Sequence, residues 1–248
     1  MLAPFLFATL LDDARPTMQE LRSTVTVTGP CVRDCVRGQM TLGAGEIVGR
    51  RADGGLVVLT ARHVVESIAM PRVYVRNGAE PGIEFAAFAR ESSARKATVL
   101  AYASNVDLAL VVFRPSGDDE YDFAPLAAVG AQGEPGVVVG DPYGSLWTVS
   151  RFTFLQTTPE ALLLNCVTCG PGDSGGGVFD AGGRLIGILV QQRVEGERGR
   201  EAPRRTSQYL AVSLSELRLF LDATQARQPG PPHLSDAWIR FESMRAVR

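Results

Sequence analysis

Lysine is nearly missing from this 248-residue chain: of 25 basic residues, all but Lys96 are arginine. Acids slightly outnumber bases, giving a formal net charge of −2. The basic excess that phosphate binding requires is therefore absent, which excludes a general nucleic-acid binder. No apolar run approaches the roughly 20 residues of a spanning helix; the longest, 1–11, has eleven. Gly (26) and Pro (15) together stay well under the about 25–30% of a chain that marks disorder. Cysteine occurs four times, as Cys31, Cys35, Cys166 and Cys169, too sparsely for a disulfide scaffold. One or two disulfides, a structural zinc on the C-x3-C and C-x2-C pairs, and free thiols all stay open. Histidine occurs twice, so the search for an imidazole base is short.

The rest is ordinary globular composition, 45% hydrophobic and 21% charged, enough for one large domain or two small lobes. Short runs rich in Val, Leu, Ile, Phe and Thr, bounded by Gly, Pro, Asn and Asp, recur along the chain. They predict strands at 23–28, 45–50, 56–60, 72–76, 83–88, 97–103 and 108–113, then at 136–139, 146–156, 161–166, 177–179, 185–191 and 209–212. Helical periodicity is scarce before residue 213, which argues for an all-β barrel or sandwich. Residues 114–123 read as an exposed crossing between two lobes, and 193–205, crowded with Arg, Glu and Gly, as a solvated loop. Leu217, Phe220 and Leu221 fall at i, i+3, i+4 and predict a helix over about 213–225.

The domain reading is an N-terminal segment at 1–22, a domain at 23–225 and a Pro-rich linker and tail at 226–248. Within the domain, a first barrel covers about 23–114 and a second about 124–212. Residues 2–11 resemble a short signal h-region but lack a basic n-region, and Asp12-Asp13-Ala14 makes a poor cleavage site. The segment is read as apolar chain packed on the domain. The compartment stays open, with the cytoplasm favoured over the periplasm or secretion.

The segment that carries chemistry is Gly170-Pro171-Gly172-Asp173-Ser174-Gly175-Gly176-Gly177. A glycine-rich turn with one central hydroxyl lets a nucleophile project into a cleft while neighbouring backbone N–H groups point at the same reacting atom. Serine is a poor nucleophile at its free pKa and needs a base. His233 lies in the Pro-rich tail, which leaves His63, directly after the apolar strand 56–60. The base in turn needs an acid behind it. Asp107 opens the apolar run Leu108-Ala109-Leu110-Val111, where a buried carboxylate is costly unless hydrogen-bonded. Asp118, Asp122 and Asp141 lack a comparable apolar flank.

The order His63, Asp107, Ser174, carried by Thr60-Ala61-Arg62-His63-Val64-Val65, Asp107-Leu108-Ala109-Leu110-Val111 and Gly172-Asp173-Ser174-Gly175-Gly176, resembles chymotrypsin-like serine peptidases. Among them it is most similar to bacterial trypsin-like enzymes of the HtrA type. Val139-Gly140-Asp141-Pro142-Tyr143-Gly144 and Arg184-Leu185-Ile186-Gly187-Ile188 add support, and the resemblance covers about 23–225. It implies an all-β fold of two six-stranded antiparallel barrels with a C-terminal helix, and hydrolysis of peptide bonds in a protein or peptide substrate without a cofactor or metal. Ser174 is implied as nucleophile, His63 as general base, Asp107 as its partner, and the N–H groups of Gly172 and Ser174 as the oxyanion hole.

By the same alignment, Thr168 stands where trypsin-type enzymes carry an acid, so cleavage after Lys or Arg is not expected. Thr168, Val190, Gln191 and Gln192 are implied as substrate-binding, with a pocket for small or medium apolar side chains. Asp173, which in digestive relatives pairs with a freed N-terminus, is expected to pair with an arginine or backbone donors here. If buried and unpaired, it would count against a preformed oxyanion hole. The two Cys pairs are expected to be near neighbours that tie the oxyanion loop down. A catalytically silent protease fold used as a peptide-binding module is the alternative, and an esterase or transacylase a third. Oligomeric state is not legible.

Overall fold

The computed structural model describes residues 18–32, 39–127, 135–195 and 204–226. The expectations for 1–17, for the tail from 227 on and for most of the loop at 193–205 therefore lie outside the described residues. A short helix, α1 (Met18–Ser23), precedes β1 (Thr24–Pro30), β2 (Met40–Arg50) and β3 (Leu56–Thr60). Then come α2 (Arg62–Glu66), β4 (Arg72–Tyr74), β5 (Ile83–Glu84), α3 (Phe85–Glu91), β6 (Arg95–Tyr102) and β7 (Ala109–Phe113). The second half contributes β8 (Gly136–Gly140), β9 (Ser145–Leu146), β10 (Thr148–Thr157), β11 (Ala161–Asn165), β12 (Gly177–Phe179), β13 (Leu185–Glu195), β14 (Arg204–Ser213) and α4 (Leu214–Ala226).

Two closed six-stranded barrels result, in the orders β1-β2-β3-β7-β6-β4 and β10-β11-β14-β13-β12-β8, with every ladder in them antiparallel. Closure removes the edges that would otherwise leave rows of unpaired backbone groups. The all-β, two-barrel expectation holds, and the C-terminal helix begins at Leu214. Val58, Leu59, Leu110, Val111 and Phe113 are fully or nearly fully buried on the strands of the first barrel, and Val138, Leu164, Val178 and Ile186 on those of the second.

Several boundaries differ from the sequence reading. The run 83–88 is a two-residue strand followed by α3, because Phe85, Phe88 and Ala89 recur at helical spacing and pack on one cluster. The strand expected at 45–50 starts at Met40, and β13 and β14 extend to Glu195 and from Arg204, a hairpin that takes both flanks of the loop expected at 193–205. The crossing at 114–123 is anchored: Arg95 reaches the Asp119 carboxylate at 2.6 Å, and that side chain is fully covered.

The β5–β9 pair (Ile83 with Leu146, Glu84 with Ser145) straps the first barrel to the second. Beneath it Phe88 sits edge-on to both Trp147 (4.9 Å between centroids) and Tyr74 (5.9 Å). Such aromatic pairs contribute beyond their buried area. We expect Phe88→Ala to lower the free energy of unfolding by about 3–5 kcal/mol, read as a drop in the urea midpoint with an unchanged m-value.

Candidate active site

His63 is carried by α2, a single turn that follows β3 directly. Val64 and Val65 bury one side of it and the Arg62–Glu66 ion pair (2.7 Å) closes the other. The Ser67 hydroxyl donates to the carbonyls of His63 and Val64 and finishes the turn. Asp107 lies in the turn before β7, the strand paired to β3, so the register Thr60 with Ala109 brings it beside α2. Its Oδ2 is 2.7 Å from His63 Nδ1, and its Oδ1 accepts the His63 backbone N–H at 2.9 Å. This two-point contact fixes both ring and backbone. Burial pushes the Asp107 pKa up, but the hydrogen bonds from the His63 ring and amide outweigh it and hold the carboxyl below its ordinary value. The imidazole is 48% exposed and the carboxylate 35%, so the pair opens onto solvent.

Ser174 sits in the loop before β12, folded by two turns: Asp173 N–H donates to Gly170 O (3.1 Å) and Gly176 N–H to Asp173 O (2.9 Å). The loop is bonded to both barrels. Ala44 N–H donates to Ser174 O (2.9 Å), Gly175 N–H to Leu189 O (2.7 Å), and Gly177 N–H to the Glu46 carboxylate (3.0 Å). Gly175 adopts φ +88°, and a Cβ there would collide with Ala44 O and the Thr60 hydroxyl. Gly43 packs on Val64, next to His63, and a Cβ on it would meet Ser174 O at 2.8 Å; the serine and the α2 turn thus share one neighbour. The Ser174 hydroxyl has no hydrogen bond to His63 or to any other described residue.

The N–H groups of Gly172 and Ser174 have no acceptor among the described residues. Gly172 reaches this conformation at φ +107°, with a Cβ barred by Asp141 O. Three buried carboxyls, Glu46, Asp141 and Asp173, lie in or beside the loop. Asp173 is buried; its Oδ2 accepts Gly170 N–H at 2.8 Å while Oδ1 has no partner. The expected partner is thus a backbone donor, not an arginine, and it serves one oxygen only. Asp141 is fully buried and accepts Trp147 N–H at 2.9 Å. Glu46 accepts from Ser23, Thr24 and Gly177. Burial raises Asp173 to about 7, and Asp141 and Glu46 to about 8 each. Sequence reasoning missed Glu46; a single glutamate inside the apolar-flanked strand 45–50 was the available signal.

Of the residues expected to bind substrate, Thr168 and Gln191 are exposed, Val190 is buried, and Gln192 donates its side-chain amide to Thr206 O at 2.8 Å. Gln191 helps line a cavity of about 350 Å³ with Leu163 and Leu210. The Cys pairs are not cross-linked to each other: Cys166 is bonded to Cys169, and Cys31 is also in a disulfide. The residues at 166–169 are three apart, so they satisfy a bridge locally. Cys169 O accepts the Tyr209 hydroxyl, which anchors the bridge one residue before the nucleophile loop. A larger cavity, about 960 Å³, is lined by both His63 and Gly172; no motif announced it.

Two antiparallel six-stranded barrels with this loop between them define the chymotrypsin-like serine peptidase fold. The family model of the trypsin-like peptidase domain matches residues 43–188, and the chain belongs to that family. No curated protein matches the chain. Among solved structures it is similar to Rv3671c from M. tuberculosis H37Rv, in the inactive form of a serine-to-alanine mutant. That likeness has a TM-score of 0.61 at 18% identity, over 86% of this chain and 91% of the other. At that identity the likeness concerns the fold.

The three buried carboxyls set a pH dependence. Their folded pKa values lie above the roughly 4 of an unfolded chain, so the folded state holds protons that the unfolded chain has released. Stability is therefore expected to fall as pH rises from about 5 through 8. Melting temperatures at pH 5, 7 and 9 should decline in that order, and Glu46→Gln should flatten the decline.

Proposed function

We propose that this protein is a serine endopeptidase in which Ser174, His63 and Asp107 act together. The observation that supports this best is the two-point contact of Asp107 with His63, whose cavity is also lined by Gly172, one of the two residues with unengaged N–H groups. Ser174 Oγ attacks the scissile carbonyl while its proton passes to His63 Nε2. Asp107 stabilises the imidazolium, and the oxyanion is received by the Gly172 and Ser174 N–H groups. The C–N bond then breaks as His63 returns the proton to the leaving amine. Water, deprotonated by the same imidazole, cleaves the acyl ester and restores the serine.

Thr168 carries no charge and Val190 is apolar, which supports cleavage after small or medium apolar residues rather than after Lys or Arg. Protein or peptide is the substrate class, and 23–225 is the catalytic unit in this reading. The disulfide at Cys166–Cys169 favours an oxidising compartment over the cytoplasm that the N-terminus suggested.

A fluorophosphonate serine probe should label the wild type and not Ser174→Ala. Turnover of an apolar peptide substrate should drop on the order of 10⁶-fold in Ser174→Ala or His63→Ala, and about 10⁴-fold in Asp107→Asn. Labelling that persists in Ser174→Ala would reject the nucleophile. Absence of labelling in folded wild type would favour the silent peptide-binding reading.

A further inference from the structure

The cavity of about 960 Å³ touches His63 and Gly172, the two groups that in the proposed mechanism face the leaving amine and the oxyanion. Thr168, Val190, Gln191 and Gln192, on the acyl side, take no part in its lining. A peptide whose carbonyl oxygen points at Gly172 and whose leaving nitrogen faces His63 therefore runs into this cavity after the scissile bond.

Its walls combine two chemistries. Met40, Phe85 and Tyr143 present apolar surface, and Tyr143 is 71% exposed. Tyr143 is also held at φ +55°, unusual for a residue with a side chain. Its own N–H, donated to Pro171 O at 2.6 Å, and the Gly144 N–H, donated to Asp141 O at 3.1 Å, fix it there. Its ring covers Gly170, where a Cβ would strike it. Backbone strain of this kind concentrates where a ligand is gripped. The second chemistry is negative charge. Glu66 lines the cavity but is neutralised by Arg62 at 2.7 Å. Glu84 also lines it, is exposed, and has no cationic or hydrogen-bonding side-chain partner among the described residues. No arginine or lysine is among the lining residues described.

We propose that this cavity is a recognition site for a basic side chain on the leaving-group half of the substrate, with Glu84 as its specificity-determining residue. The proposal rests on the peptidase reading above. An arginine or lysine fits both chemistries at once: its aliphatic stem lies along apolar and aromatic surface, its cation meets ring faces, and its head reaches the free carboxylate. A leucine uses only the first, and a glutamate meets like charge. The bonds cut thus lie shortly before a basic residue, not after one.

The test uses internally quenched peptides that share one apolar acyl half and carry Arg, Leu or Glu at the first, second or third position after the scissile bond. At one of these positions kcat/KM should fall in the order Arg, Leu, Glu, with Arg about ten-fold above Glu, the size of a partly exposed ion pair combined with a cation–π contact. In Glu84→Gln the Arg and Leu peptides should converge, and in Glu84→Lys the Glu peptide should overtake the Arg peptide. Equal rates for all peptides in an enzyme that the fluorophosphonate labels would overturn this proposal alone, as would an order unchanged in Glu84→Lys. Neither labelling nor cleavage in the wild type would overturn the peptidase reading and this proposal together.

Discussion

The loop that carries Ser174 is hydrogen-bonded through its backbone to both barrels at once, and most of the site's geometry follows from that constraint. Ala44 in the first barrel donates to Ser174 O; Leu189 in the second accepts from Gly175 and donates to Gly176. These bonds leave no room for side chains at Gly43 and Gly175. They also use up the loop's polar groups selectively. Gly175, Gly176 and Gly177 spend their N–H groups on the protein, while those of Gly172 and Ser174 are left without acceptors. Unpaired donors are costly where water is excluded, so this pattern is stable only where solvent or an incoming carbonyl can reach them.

The site holds carboxyls of opposite character. Asp107 faces an open cleft and an imidazole that donates to it, and its charge is favoured. Glu46, Asp141 and Asp173 lie under the loop with neutral donors only, and burial favours their protonated forms. Asp173 is paired through Oδ2 with the Gly170 N–H, and no cation is bonded to it among the described residues. Environment, not residue type, separates the two behaviours.

Legibility from sequence followed how local each feature is. Ser174 stood out because a glycine-flanked hydroxyl is a contiguous pattern, and His63 because only two histidines exist. Asp107 stood out because it opens an apolar run. The barrels were readable from short alternating runs between turn residues. The segment Ile83-Glu84-Phe85-Ala86-Ala87-Phe88 misled because its apolar residues satisfy a period of two at the start and of three to four afterwards; packing on Trp147 and Tyr74 decides for helix. Glu46 and the large cavity were not readable. Glu46 meets Ser23, Thr24 and Gly177, up to 131 positions away, and the cavity draws its walls from separated segments of both barrels. Cysteine pairing was likewise undetermined, since spacing permits several bridges and only proximity selects one.

The strap between the barrels ties these threads together. β5 and β9 add only two residue pairs, yet they carry Glu84 and lead into Trp147, whose side chain is fully buried against Phe88. Tyr143 and Trp147 both sit at positive φ, and both flank this short strand. The strain is held by packing below and by the bond from the Tyr143 N–H to Pro171 O above, which ties the aromatic wall to the loop that carries Gly172. A change at Glu84, which is exposed and has no side-chain partner among the described residues, leaves that support intact, whereas a change at Trp147 or Phe88 disturbs the packing on which the wall rests. The charge on this wall of the cavity is consequently free to vary without cost to the packing beneath it.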